Sequence, residues 1–410
     1  MPPHSMSHSL FPKIPLRPRA ARLLRILLAQ CAIASCVVLG VEVALRAGTG
    51  APHGYFEGWF PGVHGLYAEN ADLVLHGYAP WVIRTNRLGL RGENIPARRV
   101  PGFTRVAMVG DSVTDSLFVE NESTFPTRTG ERLASLGARV EVINAGYGGL
   151  TIDRELAVLR ELVTGLSPDV VVLTFVTNDI EALEAIDDQA LLGQSLGRKV
   201  WKHEILRPLA VHTALGERLF DRLLRVRLQE YRKYPWARDP RSEIGPQRYR
   251  IPGGTDFEAN ARIFMERFSN TDGRVLTRDL SPAAERQIGR YFVAWDSFMA
   301  HARAHGMEPV FVYFPAYPQV YTPGFPMTIR DVLKRHSDQR GVPFLDLTPA
   351  MRAAGNAVLH LAPADFHLNP TGNRVIGEAL AEFLIERGRI PASWGRGDND
   401  RACANTMPRP

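Results

Sequence analysis

The chain is patterned as short, uninterrupted apolar runs separated by longer stretches in which apolar residues recur every three or four positions. "RVAMV" (105–109), "RVEVINA" (139–145), "DVVVLTF" (169–175), "EPVFVYF" (308–314) and "VPFLDL" (342–347) are too short for helices and too continuous for half-exposed strands. They predict strands buried on both faces. Between and after them, Thr124 to Leu136, Ile152 to Leu166, Ala283 to His305, Ile329 to Arg340 and Pro370 to Arg387 carry helical spacing. The last opens with Asn369 as a cap and Pro370 at the first helical position. Alternating strand and helix predicts a parallel sheet covered on both sides. Residues 180–282 interrupt the alternation as an insertion between the third strand and the helix that should follow it, and there is no internal repeat.

A different pattern opens the chain. Ile26 to Leu45, "ILLAQCAIASCVVLGVEVAL", is a run of 20 residues in which Gln30 and Glu42 are the costly interruptions. At about 1.5 Å per residue it matches a bilayer core of about 30 Å. Lys13, Arg17, Arg19, Arg22 and Arg25 precede it, and no Lys or Arg lies between Arg46 and Arg84. By the positive-inside rule, residues 1–25 are a basic cytoplasmic N-terminus, 26–45 a signal anchor of the inner membrane, and the remainder periplasmic or otherwise extracytoplasmic. The alternatives are a cleavable signal peptide, for which "ALRAGTGA" offers a poor cleavage site, and a buried helix of a soluble protein. Residues 46–100, rich in Gly, Pro and aromatics, read as a stalk and entry segment; 101–390 form the main domain, and 391–410 are expected to be a disordered tail.

Composition narrows the function classes. With 410 residues, 45% hydrophobic and 22% charged, the chain is ordinary globular protein. Of the net charge of +6, all but +1 falls in the first 46 residues, so no nucleic-acid partner is indicated. Cys31 and Cys36 lie inside the apolar run and Cys403 in the tail, leaving the exported body no pair for a disulfide. No Cys/His spacing suits a metal, and no cofactor is expected. Residues 198–250 hold 14 Lys or Arg against 6 Asp or Glu, and "LGERLFDRLLRVRLQEYRKY" interleaves arginines with leucines and aromatics at helical spacing. This reads as a lid helix with a solvated basic face, or as a contact for anionic lipid headgroups or an acidic polysaccharide.

In a parallel sheet the ligand crevice lies at the carboxyl ends of the strands. Gly110-Asp111-Ser112 follows the first strand, "NAGYGG" the second and Asn178-Asp179 the third, while "DFHLN" (365–369) lies in the loop after the last. Singly, each has an ordinary structural reading. Ser112 suits a helix cap, Gly146, Gly148 and Gly149 a tight turn without a phosphate-binding fingerprint, and Asn178-Asp179 a turn; His367 and Asp365 read as a loop histidine and a surface charge. Jointly they bring a hydroxyl, backbone donors, an amide and an imidazole with its carboxylate to one crevice.

Together these residues resemble the SGNH/GDSL hydrolase family, over roughly residues 80–388. The resemblance implies a three-layer α/β/α flavodoxin-like sandwich with a parallel sheet of about five strands, plus the one N-terminal transmembrane helix. It implies Ser112 as nucleophile, His367 as base and Asp365 as the acid that orients it. The oxyanion hole would comprise the backbone N–H groups of Ser112 and Gly149 and the amide of Asn178, with Asp111 and Asp179 in support. Two blocks depart from the family pattern. Val176 stands where a glycine is usual, and Asp365-Phe366-His367 is one residue shorter than Asp-x-x-His, with Ala364 where the acid is most often found. The closer spacing also occurs in bacterial polysaccharide acetyltransferases of this superfamily. The anchor and "TNRLGLRGE" (85–93) further resemble single-span bacterial members. The implied activity is serine-dependent hydrolysis of an acyl or acetyl ester in the cell envelope, on a glycan or another carrier. The alternatives are an O-acetyltransferase for a cell-surface polysaccharide, supplied by an acyl-donor membrane partner, and a catalytically silent carbohydrate-binding module.

Overall fold

The computed structural model describes residues 18–52, 66–76, 80–96, 99–180, 183, 187–196, 206–224 and 253–391. The expected tail and most of the basic segment 198–250 therefore lie outside the described residues. Two short strands come first, β1 (Asp72–His76) and β2 (Pro80–Arg84), paired antiparallel with Leu73 opposite Ile83. The five apolar runs then form β3 (Thr104–Gly110), β4 (Val140–Gly146), β5 (Val170–Phe175), β6 (Glu308–Tyr313) and β7 (Phe344–Asp346). They make one parallel sheet in the order β4-β3-β5-β6-β7.

The principal helices are α1 (Pro18–Thr49), α2 (Ser112–Asp115), α3 (Phe125–Ser135), α4 (Ile152–Val158), α5 (Arg207–His212), α6 (Ala214–Leu224), α7 (Phe257–Phe268), α8 (Pro282–Ala304), α9 (Thr328–Gln339) and α10 (Pro370–Glu386). Successive strand residues point to opposite faces, and each face finds its own cover. Val106, Met108, Val172 and Val310 pack with residues of α3 and α10, such as Leu133 and Leu380. Ala107, Val109, Val171 and Leu173 pack with residues of α4 and α8, such as Leu156 and Trp295. The result is three layers, and it explains why the strands read as unbroken apolar runs.

Helix starts follow the local chemistry. Thr124 Oγ1 accepts from the Thr127 N–H (3.3 Å) to open α3, and Asn369 Oδ1 accepts from the Gly372 N–H (3.0 Å) to open α10. The stretch expected as one helix to Leu166 instead leaves α4 through a wider π turn at Leu159–Val163 and a tight 3-10 turn at Thr164–Leu166. Thr164 Oγ1 donates to the Leu159 carbonyl (2.7 Å) across that irregular stretch.

From β3 the chain crosses to β4 on one side and returns to β5 on the other. This reversal of winding opens a crevice at the carboxyl ends of β3 and β5. Near the N-terminus, Arg25–Thr49 of α1 contains an 18-residue stretch of mean hydropathy 2.2, none of it buried, and the helix is long and apolar enough to cross a membrane. A signal sequence has the same character. Glu42, the acid within this helix, accepts from the N–H groups of Ala214 and Leu215 (2.8 Å each) and pairs with Arg46 (2.7 Å).

Candidate active site

The turn that carries Ser112 is built where β3 stops. Asp111 caps α2, its Oδ1 accepting from the Val113 N–H (2.9 Å), so Ser112 becomes the first helical residue and its side chain emerges at the sheet's end. A side chain at Gly146, the last residue of β4, would run into the backbone at Asp115, so glycine there makes room for α2.

Ser112 Oγ lies 2.8 Å from His367 Nε2, and His367 Nδ1 lies 2.5 Å from Asp365 Oδ1. A carboxylate only accepts, so Nδ1 carries the ring proton and the Nε2 lone pair faces the serine. Ser112 Oγ is also 3.1 Å from Asp111 Oδ2, which leaves Nε2 the nearer acceptor for the single hydroxyl proton. The short Asp365-Phe366-His367 spacing works because Asp365 Oδ1 also accepts the backbone N–H of His367 (2.8 Å). That Asx turn folds the carboxylate back beside the ring two residues on. The Leu361 N–H bonds to the His367 carbonyl (3.0 Å) and the Asp365 N–H to the Leu361 carbonyl (3.1 Å), closing the loop that presents both side chains.

Both members of the pair keep about a quarter of their side-chain surface open, 25% for His367 and 26% for Asp365. Burial opposes a charged His367, yet the charge and hydrogen bond of Asp365, with Asp111 and Asp115 behind, hold its pKa above the ordinary histidine value. Burial likewise opposes ionised Asp365, but His367 and then Arg267 hold its carboxyl below the usual range.

Asn178 Nδ2 donates to Asp111 Oδ2 (2.9 Å), which fixes the amide orientation, since the carboxylate offers no donor. That bond uses one of the two amide hydrogens, and Asn178 lines the crevice. Asp179 stabilises its own turn without the usual glycine, its Oδ2 accepting from the Val176 N–H (2.8 Å). Gly149 sits at φ +79° as the third residue of the turn Tyr147–Leu150, closed by the Leu150 N–H on the Tyr147 carbonyl (3.3 Å). A positive φ there calls for glycine. The turn is tied to β3 by the Tyr147 N–H on the Gly110 carbonyl (3.2 Å).

A cavity of about 450 Å³ opens beside the serine. Ser112, Asn178, Asp365 and His367 form its polar side; Phe264 and Phe268 of α7, with Phe314, Tyr317 and Phe366, form its apolar side. Arg267 stands at the edge with its guanidinium 5.4 Å from the Phe366 ring centre. Gly149 is not among the residues that form this wall. Among the described residues, no three His, Cys, Asp or Glu side chains are grouped as a metal site.

Behind Ser112 lies a buried set that sequence reasoning did not single out. Arg91 and Asp115 pair at 3.5 Å with side chains 1% and 0% exposed, and the Tyr67 hydroxyl donates to Asp115 Oδ2 (2.5 Å). Arg91 also donates to the carbonyls of Asp115 (2.6 Å), Ser116 (2.9 Å) and Val119. These bonds hold a loop in which Ser116 and Phe118 adopt φ of +60° and +69°, sparsely populated for residues with a side chain. Phe118 in turn meets the His367 ring edge-on at 5.4 Å. Arg91 belongs to "TNRLGLRGE", and that stretch was the one available signal. Glu155 was also missed. It is fully buried, neither carboxyl oxygen has a hydrogen-bond partner, and burial, then the charges of Asp111 and Asp153, push its pKa far up.

Residues 108–237 match the model of the GDSL-like lipase/acylhydrolase family. No curated protein matches the chain. Similar solved structures include a lipolytic protein of the G-D-S-L family from Desulfitobacterium hafniense DCB-2, at 13% identity over 68% of this chain and 99% of that one, with a TM-score of 0.34. A lipase/acylhydrolase from Enterococcus faecalis is 15% identical over 71% and 100% of the two chains (TM-score 0.37). An acetylxylan esterase from Geobacillus stearothermophilus is 12% identical over 68% and 94% (TM-score 0.37).

Proposed function

We propose that this chain, whose residues 108–237 match the GDSL-like lipase/acylhydrolase model, hydrolyses ester bonds through a Ser112 acyl-enzyme, on an acyl or acetyl ester of the cell envelope. The observation that carries this reading is the unbroken hydrogen-bonded line from Asp365 through His367 to Ser112, opening on a cavity. As Oγ attacks the ester carbonyl carbon, His367 Nε2 takes the hydroxyl proton and the carbonyl electrons move to oxygen. The backbone N–H groups of Ser112 and Gly149 and the amide of Asn178 receive that oxyanion. Each donor is worth on the order of 3 kcal/mol in the transition state. Asp111 serves by aiming Asn178, and Asp179 by shaping its turn.

Collapse of the tetrahedral species expels the alcohol oxygen, which takes the proton from Nε2. Water then gives a proton to Nε2 and its oxygen to the acyl carbon, and the acid leaves as Ser112 Oγ is reprotonated. No cofactor enters this sequence. For location, the five cations ahead of the apolar run favour a cytoplasmic N-terminus, with residues 26–45 as anchor, 46–100 as entry segment and 101–390 as an exported catalytic domain.

Loading the purified protein with p-nitrophenyl acetate, with and without candidate oligosaccharides, tests the reaction class. Acetate released to water whatever acceptor is offered supports hydrolysis. An acetylated oligosaccharide formed faster than free acetate would overturn it in favour of acyl transfer from the same serine.

A further inference from the structure

We propose that the helix pair α5 and α6 is a second membrane-contact surface, resting on anionic lipid headgroups at the outer face of the bilayer; this builds on the reading of α1 as a membrane span. Glu42 lies three residues before the end of the apolar run at Leu45. At about 1.5 Å per residue that places it within one helical turn of the plane where the apolar run ends. Its carboxylate accepts from both the Ala214 and Leu215 N–H groups (2.8 Å each), the first N–H groups of α6. Arg46, one turn on, pairs with Glu42 (2.7 Å) and donates to the carbonyl of His212 (2.7 Å), the last residue of α5. The corner between the two helices is therefore fastened to the last turn of the span at the depth of the headgroups. The corner is tight, since a side chain at Gly216 would strike the Leu209 carbonyl, so α5 and α6 are held there as a unit.

What this unit exposes fits that location. Leu209 is 50% and Leu219 55% exposed, and around them Pro208, His212, Arg218 and Arg222 are exposed as well. The acid whose side chain is described on α6, Glu217, is 3% exposed and turned inward. Among the described side chains of the pair, the exposed face thus combines large apolar groups with cations, the composition of helices that lie in the interfacial plane. The sequence around it carries the same sign of charge, 14 basic against 6 acidic residues over 198–250, which complements anionic lipid.

The full-length chain, with its native cysteines replaced by serine, is to be reconstituted in phosphatidylglycerol-containing nanodiscs with brominated acyl chains. A single NBD fluorophore is placed in turn at Val38→Cys, Leu219→Cys and Arg374→Cys, the last at an exposed position of α10. Quenching of the 38 and 219 labels by roughly twofold or more, with 374 unaffected, is expected of an interfacial helix. Replacing phosphatidylglycerol by phosphatidylcholine should weaken the quenching at 219. A 38 label that is quenched while 219 behaves like 374 would overturn the proposal and leave the anchor standing. An unquenched 38 label would show that α1 is outside the bilayer, and both readings would fall together. A 219 label that ignores lipid but responds to a soluble acidic polysaccharide would overturn the proposal and assign this face to glycan.

Discussion

Replacing Asp365 with asparagine separates two services that the carboxylate gives to His367. Its Oδ1 accepts from both the ring Nδ1 (2.5 Å) and the backbone N–H of His367 (2.8 Å). The backbone donor keeps its demand for an oxygen, so an asparagine carbonyl takes the same place and the ring tautomer survives. What is lost is the charge. A hydrogen bond to a charged group is worth about 1.5–3 kcal/mol against about 0.5–1.5 for a neutral one. The carboxylate–imidazolium attraction at about 4 Å adds up to about 4 kcal/mol at an effective dielectric of 20, before discount for solvent. With Asp365 26% exposed, a net loss of about 2–4 kcal/mol in the transition state is reasonable, or about 30- to 1,000-fold in kcat/KM. Asp365→Ala, which frees the tautomer as well, should fall further, toward the roughly 10⁴-fold known for triads with a misdirected histidine. The pH profile supplies a second readout. In the proposed mechanism His367 must be neutral to take the serine proton, so activity should rise with pH through a histidine pKa that Asp365 holds above the ordinary value. Without that charge burial acts with less opposition, and the acid limb must move to lower pH. Ester turnover measured against pH for wild type and both variants decides the matter; a limb that stays put or moves up, or near-normal turnover in both, would refute the reasoning.

Ser112→Ala should abolish covalent labelling by a fluorophosphonate probe that wild type takes up, and a labelled alanine variant would move the nucleophile elsewhere. Arg91→Met strands the buried Asp115 and should cost about 3–5 kcal/mol in urea unfolding; a loss under about 1 kcal/mol would show that the pair is not needed to hold the Ser116–Phe118 loop. Glu155→Gln should be tolerated, because burial and then the charges of Asp111 and Asp153 push this carboxyl toward its neutral form; a loss above about 2 kcal/mol would refute that reading. His360 is 2% exposed with its pKa lowered to about 3 by burial and then by His367, so the unfolded chain binds a proton that the folded one refuses between about 6.5 and 3. Stability should therefore fall as pH drops through that window, with this group contributing up to about 1.4 kcal/mol per pH unit. In His360→Asn the slope should be shallower, whatever the absolute stability, and an unchanged slope would remove His360 from the account.

The elements that could be read from the sequence are those whose environment repeats along the chain. A strand buried on both faces writes an unbroken run such as Val170–Phe175, and a capped helix writes Asn369-Pro370, so the sheet and its long helices were legible to within a residue or two, except that α4 leaves the α-helix at Val158 rather than running to Leu166. The polar groups of the crevice were legible for the opposite reason, since Ser112 and Asn178 break such runs just where they end. Periodicity reports how buried a position is and says nothing of which partner it meets. Arg91 and Asp115 are 24 residues apart, and Tyr67 and Asp115 are 48 apart. No spacing rule joins them, and the strained loop they hold shows no pattern of its own. Asp365 illustrates the same limit at short range, because only the Asx turn seen in the fold tells whether a carboxylate two residues before the histidine reaches its ring. Glu42 is the sharpest case. Read along the apolar run it counts as a penalty, yet its carboxylate satisfies two N–H groups 172 and 173 residues away. The sign of a charge's contribution is set by its partner, and partners brought together across such distances are specified by the packing of the whole chain rather than by any window of it.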